Sequence, residues 1–262
     1  MIVSGILSAG AICKKLCLLQ NINFYDFIII SAVAGGLGFV FAKLLYIATA
    51  FPLSKFFYVL WLMLRHPVKA NLISGGFVFY GGLLGGIAGY FAGVKFARCK
   101  STDFLNTFAF AIPYVHAFGR IGCFCAGCCY GIHYDGPLAL HYSHPISDVV
   151  CGPGIFPVQL VEALLLFVFA FGILLLLLRR AELVSAFLFI IYILYYSLIR
   201  FLLEFLRGDL ARGQIKLGDS FSLSTSQVIS LILFTAAATL AIILLIKSRK
   251  NDKVKERKIQ NA

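Results

Sequence analysis

The chain has 262 residues, 61% of them hydrophobic and only 13% charged, with a mean hydropathy of +0.93. Soluble domains are nearer ~25% charged and ~45–50% apolar, so the composition excludes a soluble globular protein. The net charge of +12 could be matched to nucleic acid, but the basic residues gather at helix ends and in the tail. They read instead as topology signals and as affinity for anionic headgroups, with no nucleic-acid partner expected.

Apolar runs predict an all-α, polytopic membrane protein of about seven spans, over roughly 1–13, 27–51, 72–97, 104–125, 156–178, 183–206 and 223–246. A further apolar piece, residues 56–64, is too short to cross and fits the interface or a re-entrant segment. No cleavable signal-peptide pattern is present. The first run, 1–13, reaches only ~20 Å against a ~30 Å hydrocarbon core, as though the chain began inside its first helix. A single transmembrane domain (1–246) and a flexible basic cytoplasmic tail (247–262) are expected, with no internal repeat.

Lysine and arginine set the orientation. Lys14, Lys15, Lys95, Arg98, Lys100, Arg179, Arg180 and seven more from Lys247 onward fall on one side. Lys55, Arg65, Lys69, Arg207, Arg212 and Lys216 fall on the other. The positive-inside rule then places the tail in the cytoplasm, with the N-terminus and the loop 132–155 outside.

Three cations remain within spans: Lys43, Arg120 and Arg200. Each lies about sixteen residues past the inner end of its span, or ~24 Å from the cytoplasmic edge. Glu204 follows Arg200 by one helical turn, and Glu162 sits about two turns into span five. The five groups fall at one depth with formal charge +1, which an anionic ligand would complete. The competing reading is that they pair with one another and pin the bundle.

Arg120 lies in His-Ala-Phe-Gly-Arg-Ile-Gly-Cys-Phe-Cys-Ala-Gly-Cys-Cys-Tyr-Gly, residues 116–131. Its glycines remove side chains where a ligand could approach the backbone, and an arginine fork suits phosphate oxygens. Span three carries Gly75, Gly76, Gly81, Gly82, Gly85, Gly86, Gly89 and Gly93 around Tyr80. Close helix packing accounts for most of them. Tyr80 is open between an interface anchor and a hydrogen-bond donor to a ligand.

These residues resemble the prolipoprotein diacylglyceryl transferase family. The resemblance rests on Gly-Gly-Phe-Val-Phe-Tyr-Gly-Gly-Leu-Leu-Gly at 75–85 and Gly-Arg-Ile-Gly-Cys-Phe-Cys-Ala-Gly-Cys-Cys-Tyr-Gly at 119–131. Phe-Pro-Val-Gln-Leu-Val-Glu at 156–162, Arg-Phe-Leu-Leu-Glu-Phe-Leu-Arg-Gly-Asp at 200–209 and Ser-Thr-Ser-Gln at 224–227 continue it in order. It implies a multi-pass protein of the bacterial inner membrane. It also implies transfer of diacylglycerol from phosphatidylglycerol to the lipobox cysteine of a prolipoprotein signal peptide, forming a thioether and releasing glycerol phosphate. No cofactor or metal is implied. The family's essential arginines match Arg120 and Arg200, and its paired glutamate matches Glu204. Gly119, Gly122, Gly131, Gln159, Glu162, Lys43 and Arg207 fall to substrate binding.

Departures are specific. The family has asparagine at Cys123, glutamate at Cys128, histidine at Tyr80 and tyrosine at Val161. The reaction needs a thiolate, and a free thiol has an unperturbed pKa of ~8.5. Two proton acceptors stay open. Tyr80 is a phenol of unperturbed pKa ~10, and His116, at i, i+4 from Arg120, is an imidazole of ~6.5. His116 also reads as a satisfied histidine within the bundle.

The cysteines leave three readings. Cys123, Cys125, Cys128 and Cys129, with Cys151, His133, His141 and His144 in the outer loop, could hold metal. They could form a disulfide, or pack as small apolar groups. Cys-x-Cys-x2-Cys-Cys lacks the usual paired zinc spacing. Cys13, Cys17 and Cys99 read as reduced and structural. The alternative function class is a paralogue that binds or carries an anionic lipid or solute without chemistry.

Overall fold

The computed structural model describes residues 1–52, 57–58, 61–62, 65, 79–143, 152–180, 187–208, 214–216 and 222–260. In chain order the elements are α1 (Ile2–Leu19), α2 (Phe24–Ala50), α3 (Phe79–Ala97), α4 (Leu105–Ala126), α5 (Val158–Arg179) and α6 (Phe187–Leu203). A 3-10 turn (Glu204–Leu206), the strands β1 (Gln214–Lys216) and β2 (Ser222–Ser224) and the long α7 (Thr225–Gln260) follow. The strands pair antiparallel, with Ile215 opposite Leu223. The chain is an all-α, multi-pass membrane protein. Six described helices, α1, α2, α4, α5, α6 and α7, are long and apolar enough to cross a bilayer. Residues 72–78 of the expected third span lie outside the described residues.

Two expectations are corrected. The first span does not stop at Cys13: α1 continues to Leu19, 18 residues in all, or ~27 Å. Lys14 and Lys15 sit on its exposed face while Cys13, Leu16 and Cys17 are buried. Long lysine side chains can reach away from an apolar helix without ending it. The basic tail, expected as a flexible extension, continues α7 as helix to Gln260. Of the piece 56–64, the described Phe57, Tyr58, Trp61 and Leu62 are helical, and the Tyr58 and Trp61 rings stack at 6.4 Å.

The residues fall into two compact units, Met1–Gln20 with Leu105–Ala262, and Asn21–Phe104. In the second unit α2 packs along α3. Asn23 caps α2, its side chain accepting from the Tyr25 amide at 3.0 Å. A Cβ at Gly81 or Gly85 would strike the Phe41 or Leu37 carbonyl. One at Gly89 or Gly93 would come to 2.6 Å from the Ala34 Cα or 2.8 Å from the Ile30 Cα. The four-residue spacing puts these glycines on one stripe, and two backbones meet there. Gly86 meets nothing within 4 Å.

In the first unit α4 packs along α5, α1 lies on α4, and α6 packs on α7 while touching α4 and α5. Gly5 fits α1 against α4, since a Cβ there would come to 2.8 Å from the Phe118 Cβ. Small and branched residues fill the contacts, with Ala117, Ala163 and Leu166 in one cluster and Ile190, Ala237 and Ala241 in another. Along the groove beside α4, α5 exposes Leu164, Val168, Phe171 and Leu175. A row of large apolar groups at helical spacing suits acyl chains.

Gly89→Val is therefore expected to destabilise the purified protein by about 1–3 kcal/mol, the range for overpacking, while Gly86→Ala is tolerated. Thermal unfolding in detergent checks this, and equal midpoints for the two variants would refute the seam.

Candidate functional site

The site is built on α4, α5, α6 and the turn after α6. His116 and Arg120 lie one turn apart on α4, and Glu162 opens α5. Tyr196 and Arg200 lie one turn apart on α6, followed by Glu204 and Arg207. Arg120 Nη2 meets Glu162 Oε1 at 2.9 Å, the guanidinium side chain being 12% exposed and the carboxylate 1%. His116 Nε2 lies 4.0 Å from the same oxygen. The Tyr196 hydroxyl donates to it at 3.5 Å and packs its ring edge-on to His116, with centroids 5.2 Å apart. Arg200 Nη2 meets Glu204 Oε2 at 2.6 Å and donates to the Ser226 hydroxyl at 3.2 Å.

Ser226 is held by a capping box at the start of α7. The Gln227 amide donates to the Ser224 hydroxyl at 3.1 Å, and the Ser224 amide donates to Gln227 Oε1 at 2.9 Å.

The contacts show the buried charges pairing with one another. The carboxylates pair with Arg120 and Arg200, yet three arginines, 120, 200 and 207, face two glutamates. Arg120 Nε and Arg200 Nη1 are buried without a hydrogen-bond partner among the described residues. Buried donors are rarely left so, and both could be satisfied by an anion.

Around this cluster the backbone is tightly pinned. Gly131 bridges to Arg207, and Gly208 donates to the Tyr130 carbonyl at 3.1 Å. A Cβ at Gly131 would strike the Phe156 carbonyl, so only glycine lets the three segments cross. Gln159 is buried and donates to the Cys128 carbonyl at 2.9 Å. Gly119 faces open space, whereas a Cβ at Gly122 would touch Met1 at 3.7 Å. Val161 packs against the Val158, Ile199 and Leu203 cluster.

The other expected site residues are placed as follows. Lys43 lies in the second unit, buried in α2 with its ammonium 5.2 Å from the Tyr46 ring centroid. Tyr80 belongs to the first turn of α3, and its side chain lies outside the described residues. His133 pairs with Asp135 at 3.6 Å, and His141 Nδ1 contacts the Gly152 carbonyl at 3.0 Å. His144 and Cys151 lie outside the described residues. Tyr196 and Ser226 are additions to the expected set. The available signal for Tyr196 was its place one turn before Arg200, repeating the His116–Arg120 spacing.

Three of the four clustered cysteines come together. The ligand atoms of Cys123, Cys128 and Cys129 lie within 4.8 Å of one another, while Cys125 is exposed. Cys123 and Arg207 both hydrogen-bond to Cys129, and these contacts hold its thiol below the usual range against the opposing effect of burial. Burial pushes the Cys128 thiol up.

With this geometry in view, a family model described as prolipoprotein diacylglyceryl transferase matches residues 1–243. The chain belongs to that family. A Clostridium tetani (strain Massachusetts / E88) protein named phosphatidylglycerol–prolipoprotein diacylglyceryl transferase is 32% identical over 238 residues, 88% of this chain and 86% of that one. A Clostridium perfringens (strain 13 / Type A) protein bearing the same name with the numeral 2 is 29% identical over 256 residues, 92% and 90% of the two chains. A Geobacter sulfurreducens (strain ATCC 51573 / DSM 12127 / PCA) protein with the same transferase name is 35% identical over 193 residues, 71% and 69% of the two chains.

The buried Arg120–Glu162 pair yields a direct expectation. Glu162→Ala leaves the guanidinium uncompensated and should cost about 3–5 kcal/mol of stability. Adding Arg120→Leu should recover much of it. Thermal unfolding of the single and double variants is the measurement, and additive losses would show that the two side chains do not act as a pair.

Proposed function

We propose that this chain transfers a diacylglyceryl group from phosphatidylglycerol to the lipobox cysteine thiol of a prolipoprotein in the bacterial inner membrane. The observation that carries the reading is the buried cluster of three arginines and two glutamates with donors left over, in a member of this family. Arg120 and Arg200 grip the donor phosphate and stabilise the negative charge on departing glycerol phosphate. Glu162 and Glu204 hold the two guanidinium groups in place, and Arg207 joins the loop 128–131 to them. Gly119 leaves room for the headgroup.

An apolar groove of about 630 Å³ between α4 and α5, lined by Tyr114, Phe118, Phe167, Phe171 and Gly172 among others, supports the lipid assignment. It begins two residues from Arg120, where an acyl chain attached to a bound phosphate would run.

The test is a transfer assay with the purified protein, labelled phosphatidylglycerol and a lipobox peptide. Arg120→Gln should insert normally and lose donor binding and transfer. Unchanged lipid affinity would return Arg120 to a purely structural role. The same assay separates the proton acceptors. A His116 base gives a rate that levels at lower pH than a Tyr80 base would, and His116→Ala removes that limb. A Tyr80 base keeps the rate rising toward alkaline pH, and Tyr80→His then preserves or raises activity. Lipid binding without transfer in wild type and both variants would favour the carrier class.

We also propose that the site faces outward, with α4 ending at the exterior and the tail inside, on the strength of the lysine and arginine distribution. Cysteine labelling of intact cells should reach engineered positions in the loop 132–155. Labelling of the tail would reverse the orientation.

A further inference from the structure

Three cysteines, 123, 128 and 129, lie at the end of α4 and just beyond it. The backbone explains why these three meet. Helix α4 ends in a Schellman motif: the Cys128 amide donates to the Cys123 carbonyl at 3.1 Å, and the Gly127 amide to the Phe124 carbonyl at 3.1 Å. Gly127 supplies the left-handed residue with φ of 70°. This motif brings together the side chains at the third-last helical position and the second position beyond the cap, where an apolar contact is usual. Here both are thiols. Cys129, itself at φ of 60°, turns back so that its sulfur joins them.

The arrangement is supported from outside. Gln159 holds the Cys128 carbonyl at 2.9 Å, and the Tyr142 hydroxyl holds the Phe124 carbonyl at 2.8 Å. Arg207 hydrogen-bonds to Cys129, and Arg120 lies within electrostatic range of Cys123 and Cys129. The thiols are therefore next to the guanidinium cluster. All three are partly exposed, so a further ligand has access to them.

We propose that Cys123, Cys128 and Cys129 form a three-thiolate site for zinc, with an open fourth position that takes the acceptor thiol. Thiolates are the soft ligands zinc favours, and sites with three protein ligands keep the fourth for substrate. Bonds of ~2.3 Å place sulfurs on a tetrahedral edge of roughly 3.8 Å, which side-chain rotation reaches from the observed spacing. Three thiolates on Zn²⁺ make a complex of charge −1, which Arg207 offsets. A thiol entering such a site is deprotonated on binding.

This assignment rests on the transferase reading and supplies its nucleophile. The acceptor thiol replaces a water on the metal and gives its proton to the base, His116 or Tyr80, that the transfer assay identifies. Its sulfur lone pair then forms the C–S bond to the glyceryl carbon. The C–O bond to phosphate breaks, and that electron pair leaves on glycerol phosphate held by Arg120 and Arg200. Zinc stays divalent throughout.

The experiment uses full-length protein, reduced, stripped of metal and kept anaerobic in detergent, with Co²⁺ as the optical probe. One Co²⁺ per chain should bind with a thiolate-to-metal charge-transfer band and the strong visible bands of tetrahedral cobalt, and Zn²⁺ should displace it. Cys123→Ser, Cys128→Ser and Cys129→Ser should each lose the band, whereas Cys125→Ser keeps it. Size-exclusion profiles confirm that each variant is folded. A lipobox peptide should then shift the visible bands and add thiolate intensity, and the same peptide with serine at the lipobox position should not.

No thiolate band in the wild type, or a band that survives in the three serine variants, overturns the site. A visible spectrum unchanged by the cysteine peptide overturns the open position. Full transfer by the metal-stripped protein overturns the proposal while the transferase reading stands. Metal and peptide bound with no lipid transferred leaves the site standing and removes the transferase reading.

Discussion

The structure around the site depends on one constraint: charge placed in a membrane bundle must be compensated there. Arg120 is nearly buried, and water cannot solvate it from the hydrocarbon side. Glu162, buried on the neighbouring helix, meets it at 2.9 Å. That pair ties α4 to the start of α5, and the second pair, Arg200 with Glu204, ties α6 to the turn that follows it. Tyr196 and His116 crowd the same carboxylate oxygen from α6 and α4. Three helices are thus positioned by two carboxylates, and burial makes removing one partner far costlier than in a surface ion pair.

Compensation is incomplete, and chemistry becomes possible at that point. Two buried arginine donors, Arg120 Nε and Arg200 Nη1, lack acceptors among the described residues. Those donors lie beside an apolar groove, and the proposed lipid phosphate would meet both. The surrounding backbone is packed so closely that Gly131 and Gly208 leave no space for a Cβ. Such packing holds Arg207 against the thiol loop, so the arginine cluster and the thiols share one rigid frame.

The glycines divide into separate physical roles. Those of α3 at positions 81, 85, 89 and 93 allow two helices to touch backbone to backbone. Gly127 ends α4 in the left-handed conformation, and Gly131 permits a three-segment crossing. Gly119 does neither and opens space. One residue type therefore supplies packing, termination and open space within the same chain.

Much of this was legible in the sequence. Hydropathy alone shows the helices, because an apolar run long enough to span a bilayer has few other uses. The cost of charge in hydrocarbon singles out Arg120, Arg200, Glu162 and Glu204, and the i, i+4 spacing foretells the Arg200–Glu204 pair. The true end of α1 was hidden, since lysines on its exposed face look like a terminus. The partner of Arg120 and the roles of Tyr196 and Ser226 depend on contacts between helices, which no local pattern encodes. The cysteines make the same point. Their spacing shows four candidates without rank, and only the turn at Gly127 decides that Cys123, Cys128 and Cys129 meet while Cys125 faces away. Sequence determines which groups must avoid lipid, because transfer free energy belongs to each residue. Tertiary structure decides which of them face one another, because that depends on how separate helices are rotated and packed.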